Sequence, residues 1–276
     1  MKNLKEYLNE GLKDWSDDKF KSIMDKEAHI MDYITSNYKN LNPNKLKINR
    51  STPVYTVDYE GDIRVPHGKI TDGSIKWGIE KGDFSVVYCR KLTSLEGSPD
   101  VVEGRFQVIE CYKLKSLKGS PNEVNNFQCK LCELITDLKG CPKIINGKMC
   151  LLELSNLKSL KGCPSKIGKN FEVLACYKLE SLDGGPKDVG GSYDCSSCRS
   201  LKSLEGSPKK INGDLICDGC NGLESLKRVP EEIKGDFDLR GTKNNSNWDS
   251  FYGHIMNDNY NNIKYWPKKI GGDVLI

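Results

Sequence analysis

The chain reads as a β-dominated solenoid, and three observations predict it. A proline returns on a fixed beat, a strand-like alternation follows each proline at a constant distance, and the returns are too rich in proline and glycine for a helix. Pro99, Pro121, Pro142, Pro164, Pro186, Pro208 and Pro230 lie 22, 21, 22, 22, 22 and 22 residues apart, each closing L-x-S-L-x-G-x-P or a near copy. A unit this short cannot bury its own apolar face, so units must stack and share one core. Function is then expected on a long surface and not in a pocket.

Residues 1–50 carry no repeat and form a separate helical segment, with the solenoid over 51–276. Leu4, Tyr7, Leu8 and Leu12 share one helical face. After Trp15 and the capping Ser16, Phe20, Ile23, Met24, Ile30, Met31, Ile34 and Tyr38 continue a second amphipathic helix, placed to cap the open first coil. Gly61, Ile63 and Val65 begin the array, and Gly82, Phe84, Val86, Cys89, Leu92 and Leu95 form its next coil.

Counted from each proline, the third position is Val102, Val124, Ile145, Ile167, Val189, Ile211 or Ile233. The seventh and ninth alternate inward as a strand does: Phe106 and Val108, Met149 and Leu151, Phe171 and Val173, Tyr193 and Cys195. The twelfth is a turn position, Cys111, Cys132, Leu154, Cys176, Cys198 or Cys220, with one residue deleted upstream of Cys132. Two leucines three apart then lead into the helix-free return. Pro267, Ile270, Gly272 and Val274 resume the pattern after an insertion near 243–262, for about ten short parallel strands, one per period.

The order F-x-V-x-x-C-x-x-L-x-S-L-x-G-x-P resembles a leucine-rich repeat, over residues 61–240 and the last ten. The resemblance implies a parallel sheet whose outward, concave face binds a protein. Cysteine in place of asparagine in the turn, and the helix-free return, depart from the usual repeat. The glycine–proline closure is similar to repeat proteins common in tailed-phage genomes. Met1, Lys2, Glu6, Tyr7, Leu8 and Glu10 resemble the N-terminal targeting sequence of internal head proteins of large tailed phages. In that family a maturation protease cuts after the glutamate of an apolar-x-Glu triplet, which matches Leu8, Asn9 and Glu10. This implies an alternative, packaging in a phage head and delivery to the host.

The 42 basic and 38 acidic side chains leave a net charge of +4, far from the dense basic surface nucleic acid demands. Lys115, Lys118, Lys158, Lys161, Lys209 and Lys210 cluster on the returns but are interrupted by acids, as on a solvated convex face. No apolar run spans a bilayer and no signal-peptide core opens the chain, so a membrane is not expected and the cytoplasm is.

Cys195, Cys198, Cys217 and Cys220 spell C-x-x-C-x18-C-x-x-C, a zinc-like spacing. The period explains it without metal, because Cys89, Cys111, Cys132 and Cys176 hold the same turn column where no tetrad can form. The expectation is buried thiols with no metal and no cofactor, and a structural zinc site is the alternative. Cys141 and Cys163 fall one period apart, where a disulfide is possible under oxidation. Cys150 falls on the outward register and is expected to be the most accessible thiol. His29, His67 and His254 have no nucleophile or carboxylate beside them in a motif, so no enzyme is expected.

Positions six, eight and ten of each unit face outward. Val87, Ile109, Leu152 and Leu174 form an apolar stripe there, with Tyr88, Tyr112 and Tyr177 at its rim, and Asp194, Asp214, Asp218, Asp236 and Asp238 make its C-terminal third acidic. Such a face is expected to bind a partner protein with a basic surface.

Overall fold

Most periods cross the solenoid as two short strands and one irregular return, where the alternation pattern predicted a single strand; in two of them one longer strand serves both positions. The chain is described by a computed structural model over residues 17–38, 41–49, 56–65, 70, 76–224, 226, 228–242 and 266–276. The second strand of each period is the predicted one. These strands are β3 (Ile63–Arg64), β5 (Phe84–Val87), β6 (Val101–Ile109), β7 (Glu123–Lys130), β9 (Met149–Leu152), β11 (Phe171–Leu174), β13 (Tyr193–Asp194), β15 (Leu215–Ile216), β17 (Phe237–Asp238) and β19 (Val274–Leu275). All ten pair in parallel, each with the next, as one continuous ladder.

The first strand of each period sits around the third position after proline. β4 (Lys76–Glu80), the starts of β6 and β7, β8 (Ile144–Ile145), β10 (Lys166–Ile167) and β12 (Asp188–Val189) form one parallel column. β14 (Lys210–Ile211), β16 (Glu232–Ile233) and β18 (Lys269–Ile270) continue it as a separate three-stranded sheet. From β8 onward each holds only two residues, one of them inward, so no alternation announces it. Its outward residues alternate in charge along the stack. Lys166 pairs with Asp188 (3.4 Å), and Glu232 pairs with both Lys210 (2.9 Å) and Lys269 (3.4 Å).

Stacking puts like over like. Phe84, Phe106 and Phe127 are fully buried with ring centroids 6.1 and 5.8 Å apart, and Phe171 lies 4.9 Å from Tyr193. The two leucines of each return are buried beneath them, and one apolar cluster runs from Ile30 to Leu239. At roughly 1.5–3 kcal/mol per buried side chain before entropy is subtracted, stacking dominates the favourable energy.

The N-terminal end is covered by α1 (Asp17–Asn37) and by one more strand. Ile30, Ile34 and Tyr38 are buried, and Tyr38 meets Trp77 edge-on at 5.3 Å while its hydroxyl donates to the Ile70 carbonyl. β1 (Leu46–Asn49) then runs antiparallel to β2 (Thr56–Tyr59), which pairs in parallel with β4. An antiparallel strand ends the first column, and its four residues fall within the segment read from sequence as helical. The helix predicted over Leu4 to Leu12, the side chains of Phe20, Ile23 and Met24, and the insertion near 243–262 lie outside the described residues.

Two turn columns have left-handed backbones. The G-x-P glycines from Gly97 to Gly206 have φ between +81° and +97°, and a Cβ on Gly119 would lie 2.3 Å from the Glu96 nitrogen. Glycine there is required twice over, by φ and by contact. The residue before each turn cysteine is also left-handed yet seldom glycine: Tyr88, Glu110, Leu131, Glu153, Ala175 and Ser197 have φ of +52° to +60°. Each such residue costs roughly 1–2 kcal/mol. The conformation persists because its N–H reaches the next coil, as Tyr88 does to the Ile109 carbonyl (2.9 Å) and Ala175 to that of Ser196 (3.0 Å). Gly119→Ala is therefore expected to destabilise by roughly 3 kcal/mol, whereas Ala175→Gly should stabilise by up to about 1 kcal/mol, in denaturant melts of the two variants.

Glu80, at the end of β4, is 1% exposed. Its Oε1 accepts from the Gly82 N–H at 3.0 Å, while Oε2 has no hydrogen-bond partner among the described residues. Burial, with the Asp62 carboxylate adding to it, pushes the acid up to about 8. An unfolded glutamate titrates at about 4.3, so the folded chain holds the extra proton between that value and its own. Stability must fall as pH rises through this window. Glu80→Gln is expected to leave the melting temperature unchanged near pH 4 and to raise it above wild type at pH 8.

Candidate functional site

The outward face of the long ladder is built from the sixth, eighth and tenth positions. Pairing in register places Val87 beside Ile109, then Lys130, then Leu152, then Leu174. The expected apolar stripe is thus divided by Lys130 into two pairs. The period ending at Pro142 is one residue short, so counting from Pro121 puts Leu131 in the column that Lys130 occupies. All four apolar residues are half-buried, each leaning on its neighbour across the ladder. The rim is more open: Tyr88 and Tyr177 are each 42% exposed. Tyr112 donates its hydroxyl to Glu110 (2.7 Å), and the Arg199 guanidinium lies 5.5 Å from the Tyr177 ring centroid.

The five aspartates of the acidic third separate into different roles. Asp214 and Asp236 sit at the corner between the two strands and belong to a ladder of side-chain acceptors. Asp62 accepts the Asp83 N–H (2.9 Å), Asp83 that of Arg105 (2.7 Å), and Asn126 that of Lys148 (2.9 Å). Asn170 accepts the Ser192 N–H (3.2 Å), Ser192 that of Asp214 (3.0 Å), Asp214 that of Asp236 (2.9 Å), and Asp236 that of Asp273 (2.8 Å). These side chains bridge the corner, where the glycine bend interrupts strand pairing. The recurrence of Asp, Asn and Ser one residue before the inward aromatic was the sequence signal for it.

Asp194 and Asp238 instead cap the turn after the strand, accepting the N–H of Ser196 (2.9 Å) and of Arg240 (3.0 Å). Burial pushes the Asp194 carboxyl up, and the carboxylates of Glu172 and Asp218 push the same way. Glu172, its neighbour in register, is ion-paired to Lys148. Asp238 corrects the sequence reading: it is 5% exposed and bound by the Arg240 guanidinium at 2.6 Å, so it is not a free surface acid. Its partner two residues on folds back over it. Asp218 is the exposed member of the five.

The cysteine quartet does not converge. The sulfurs of Cys195 and Cys217 meet at 3.5 Å, but Cys198 donates to the Val173 carbonyl (3.2 Å) and Cys220 to that of Cys195 (3.1 Å). Cys111 and Cys132 make the same bond to Val86 (3.6 Å) and Val108 (3.8 Å) with no tetrad available. A turn-column thiol thus bonds the strand of the coil before it. Among the described residues, no group of three or more His, Cys, Asp or Glu side chains is placed to hold a metal ion. The hydrogen bond with Cys132, together with burial, holds Cys111 at about 12.

Cys150 is buried, against the expectation of an accessible thiol. Its register is outward, yet it lies among Glu172, Lys148 and Lys130, and burial with the Glu172 carboxylate pushes it to about 11. All twelve cysteines are free, including Cys141 and Cys163, and Cys163 alone is not fully buried.

On the opposite side, Lys115, Lys118, Lys158 and Lys161 are exposed on the returns. The serine of L-x-S-L acts inside the return: Ser94 and Ser159 accept the N–H two residues on, each at 3.1 Å. No helix among the described residues is long and apolar enough to cross a membrane. Compared with known families, characterised proteins and solved structures, the chain has no match. Burial pushes the Cys163 thiol up to about 12, so mild thiol reagent at neutral pH should label the native chain slowly throughout, with Cys163 the first to react; Cys163→Ser should remove that earliest phase while Cys150→Ser leaves it intact.

Proposed function

We propose that this chain is a non-enzymatic interaction module that binds another protein through the outward face of its long parallel ladder. The observation that carries the reading is the alignment of that face. Its strands are in register, so the Val87–Ile109 and Leu152–Leu174 pairs and Asp194 share one face, with the open rings of Tyr88 and Tyr177 at its rim and the exposed Asp218 beside the corner acids Asp214 and Asp236 at its C-terminal end. Half-buried aliphatic pairs beside exposed tyrosines are the composition of an interface centre. The acidic end suits a partner with a basic patch.

The resemblance of the repeat unit to tailed-phage proteins supports a phage-encoded module acting in a bacterial cytoplasm. Replacing Leu152 and Leu174 with Asp, or Tyr88 and Tyr177 with Ala, is expected to reduce partner capture from host extract at least 10-fold at equal folded concentration. Exchanging Lys115, Lys118, Lys158 and Lys161 for Gln should change capture less than 2-fold. Loss of capture in the lysine variant alone would place the binding surface on the returns.

A further inference from the structure

The first-strand column departs from its rule most fully at one place; the Ser165 and Lys166 amides also lack, among the described residues, a bond to the Lys143 carbonyl, yet β8 and β10 stay paired there. Between β12 and β14 the first-strand column parts, although the long ladder beside it continues unbroken from β13 to β15. In the flanking periods two consecutive amides bond one carbonyl of the coil before. Lys187 and Asp188 donate to the Ser165 carbonyl (2.8 and 3.0 Å), and Glu231 and Glu232 to that of Lys209 (2.8 and 3.3 Å). Among the described residues, Lys209 and Lys210 make no such bond to Lys187. The Asn212 side chain takes the Val189 carbonyl instead, at 3.0 Å. Asp188 and Lys210, which the alternating charge column brings opposite one another, also form no ion pair within 4 Å.

The second departure is Arg228. It stands where six earlier periods carry the left-handed glycine, and it keeps that conformation with φ of +61°. A Cβ at the preceding Gly206 would already lie 2.3 Å from the Leu182 carbonyl carbon, so an arginine in this column obliges the corner to stand away from its neighbour. Its side chain spans back to Glu205 at 2.8 Å. The two departures border a single groove of about 870 Å³.

The polar groups of the groove that remain unpaired define its ligand. Its acids are mostly held already: Glu205 by Arg228, Asp188 by Lys166 and Glu231 by Lys268 (2.7 Å), which leaves Asp183. Lys209 forms no ion pair within 4 Å among the described residues, and Lys187 makes one bond, to the Gly206 carbonyl (3.1 Å). Two adjacent backbone amides and two ammonium groups therefore border one opening. Consecutive N–H groups beside cations form an anion-binding concavity.

We propose that this seam is a binding site for an oxyanion of the phosphate type, seated on the Lys209 and Lys210 amides and flanked by the Lys187 and Lys209 ammonium groups. It lies on the first-strand column and its adjoining return, away from the face assigned to the protein partner, so either assignment can fail alone.

The test is a titration of the full chain with inorganic phosphate, followed by amide NMR. The Lys209 and Lys210 signals should move saturably, and sodium chloride at matched ionic strength should not reproduce the movement. A parallel titration with acetate separates a phosphate site from a carboxylate site, which should saturate at least 5-fold more weakly. Lys187→Gln with Lys209→Gln should weaken phosphate binding at least 5-fold. Arg228→Gly should restore the ordinary corner, raise the melting temperature and weaken binding by a similar factor. Equal shifts in chloride, tighter binding of acetate, or undiminished phosphate binding in both variants would overturn the proposal.

Discussion

Neighbouring parallel strands lie about 4.8 Å apart, and in this solenoid every side chain must therefore tolerate a counterpart directly above and below it. That single spacing sorts residues into columns. Flat rings stack, as Phe106 does on Phe127 with planes 16° apart. Corners that come within contact of the preceding backbone hold glycine. The corner side chains accept from the adjacent coil, and the left-handed turn residues donate to it, so both kinds of group tie one period to the next.

The inward columns were legible in the sequence because repetition averages out local ambiguity: one Phe-x-Val is weak, and the same alternation on a fixed beat is not. The first strand of each period escaped because two residues cannot display a period, and β1 because its Leu46–Asn49 segment belongs to no repeat and is too short to set its alternation apart, although Asn42 and Pro43 mark a turn ahead of it. The stripe from Val87 to Leu174 is apolar in the four periods named for it, and the period between them, one residue short, contributes Lys130 to the same column. Cys150 and Asp238 were placed correctly by register and wrongly by exposure. Period decides which way a side chain leaves the backbone; neighbours such as Glu172 and Arg240 decide whether water reaches it.

The turn cysteines illustrate how a column tolerates substitution. In five coils the sulfur bonds a carbonyl of the preceding strand at 3.1 to 3.9 Å, a weak interaction. Leu154 fills the same site with no hydrogen bond to offer and is as deeply buried. Apolar volume is what the position requires, and the thiol's bond is secondary. The abundance of sulfur thus follows from packing, and the surface assigned to a partner draws none of its chemistry from it.

The alternating charges of Lys166, Asp188, Lys210, Glu232 and Lys269 impose a parity on this half of the array. Removing the period that carries Asp188 would bring Lys166 over Lys210, like charge on like. Removing that period together with the next would set Lys166 over Glu232 and keep the alternation. Hydrophobic columns are indifferent to how many copies they contain, but a two-letter charge column counts them. Each exposed contact is worth only about 0–1 kcal/mol, so the preference is mild per step. A chain lacking two adjacent units here would therefore keep the alternation that a chain lacking one would lose.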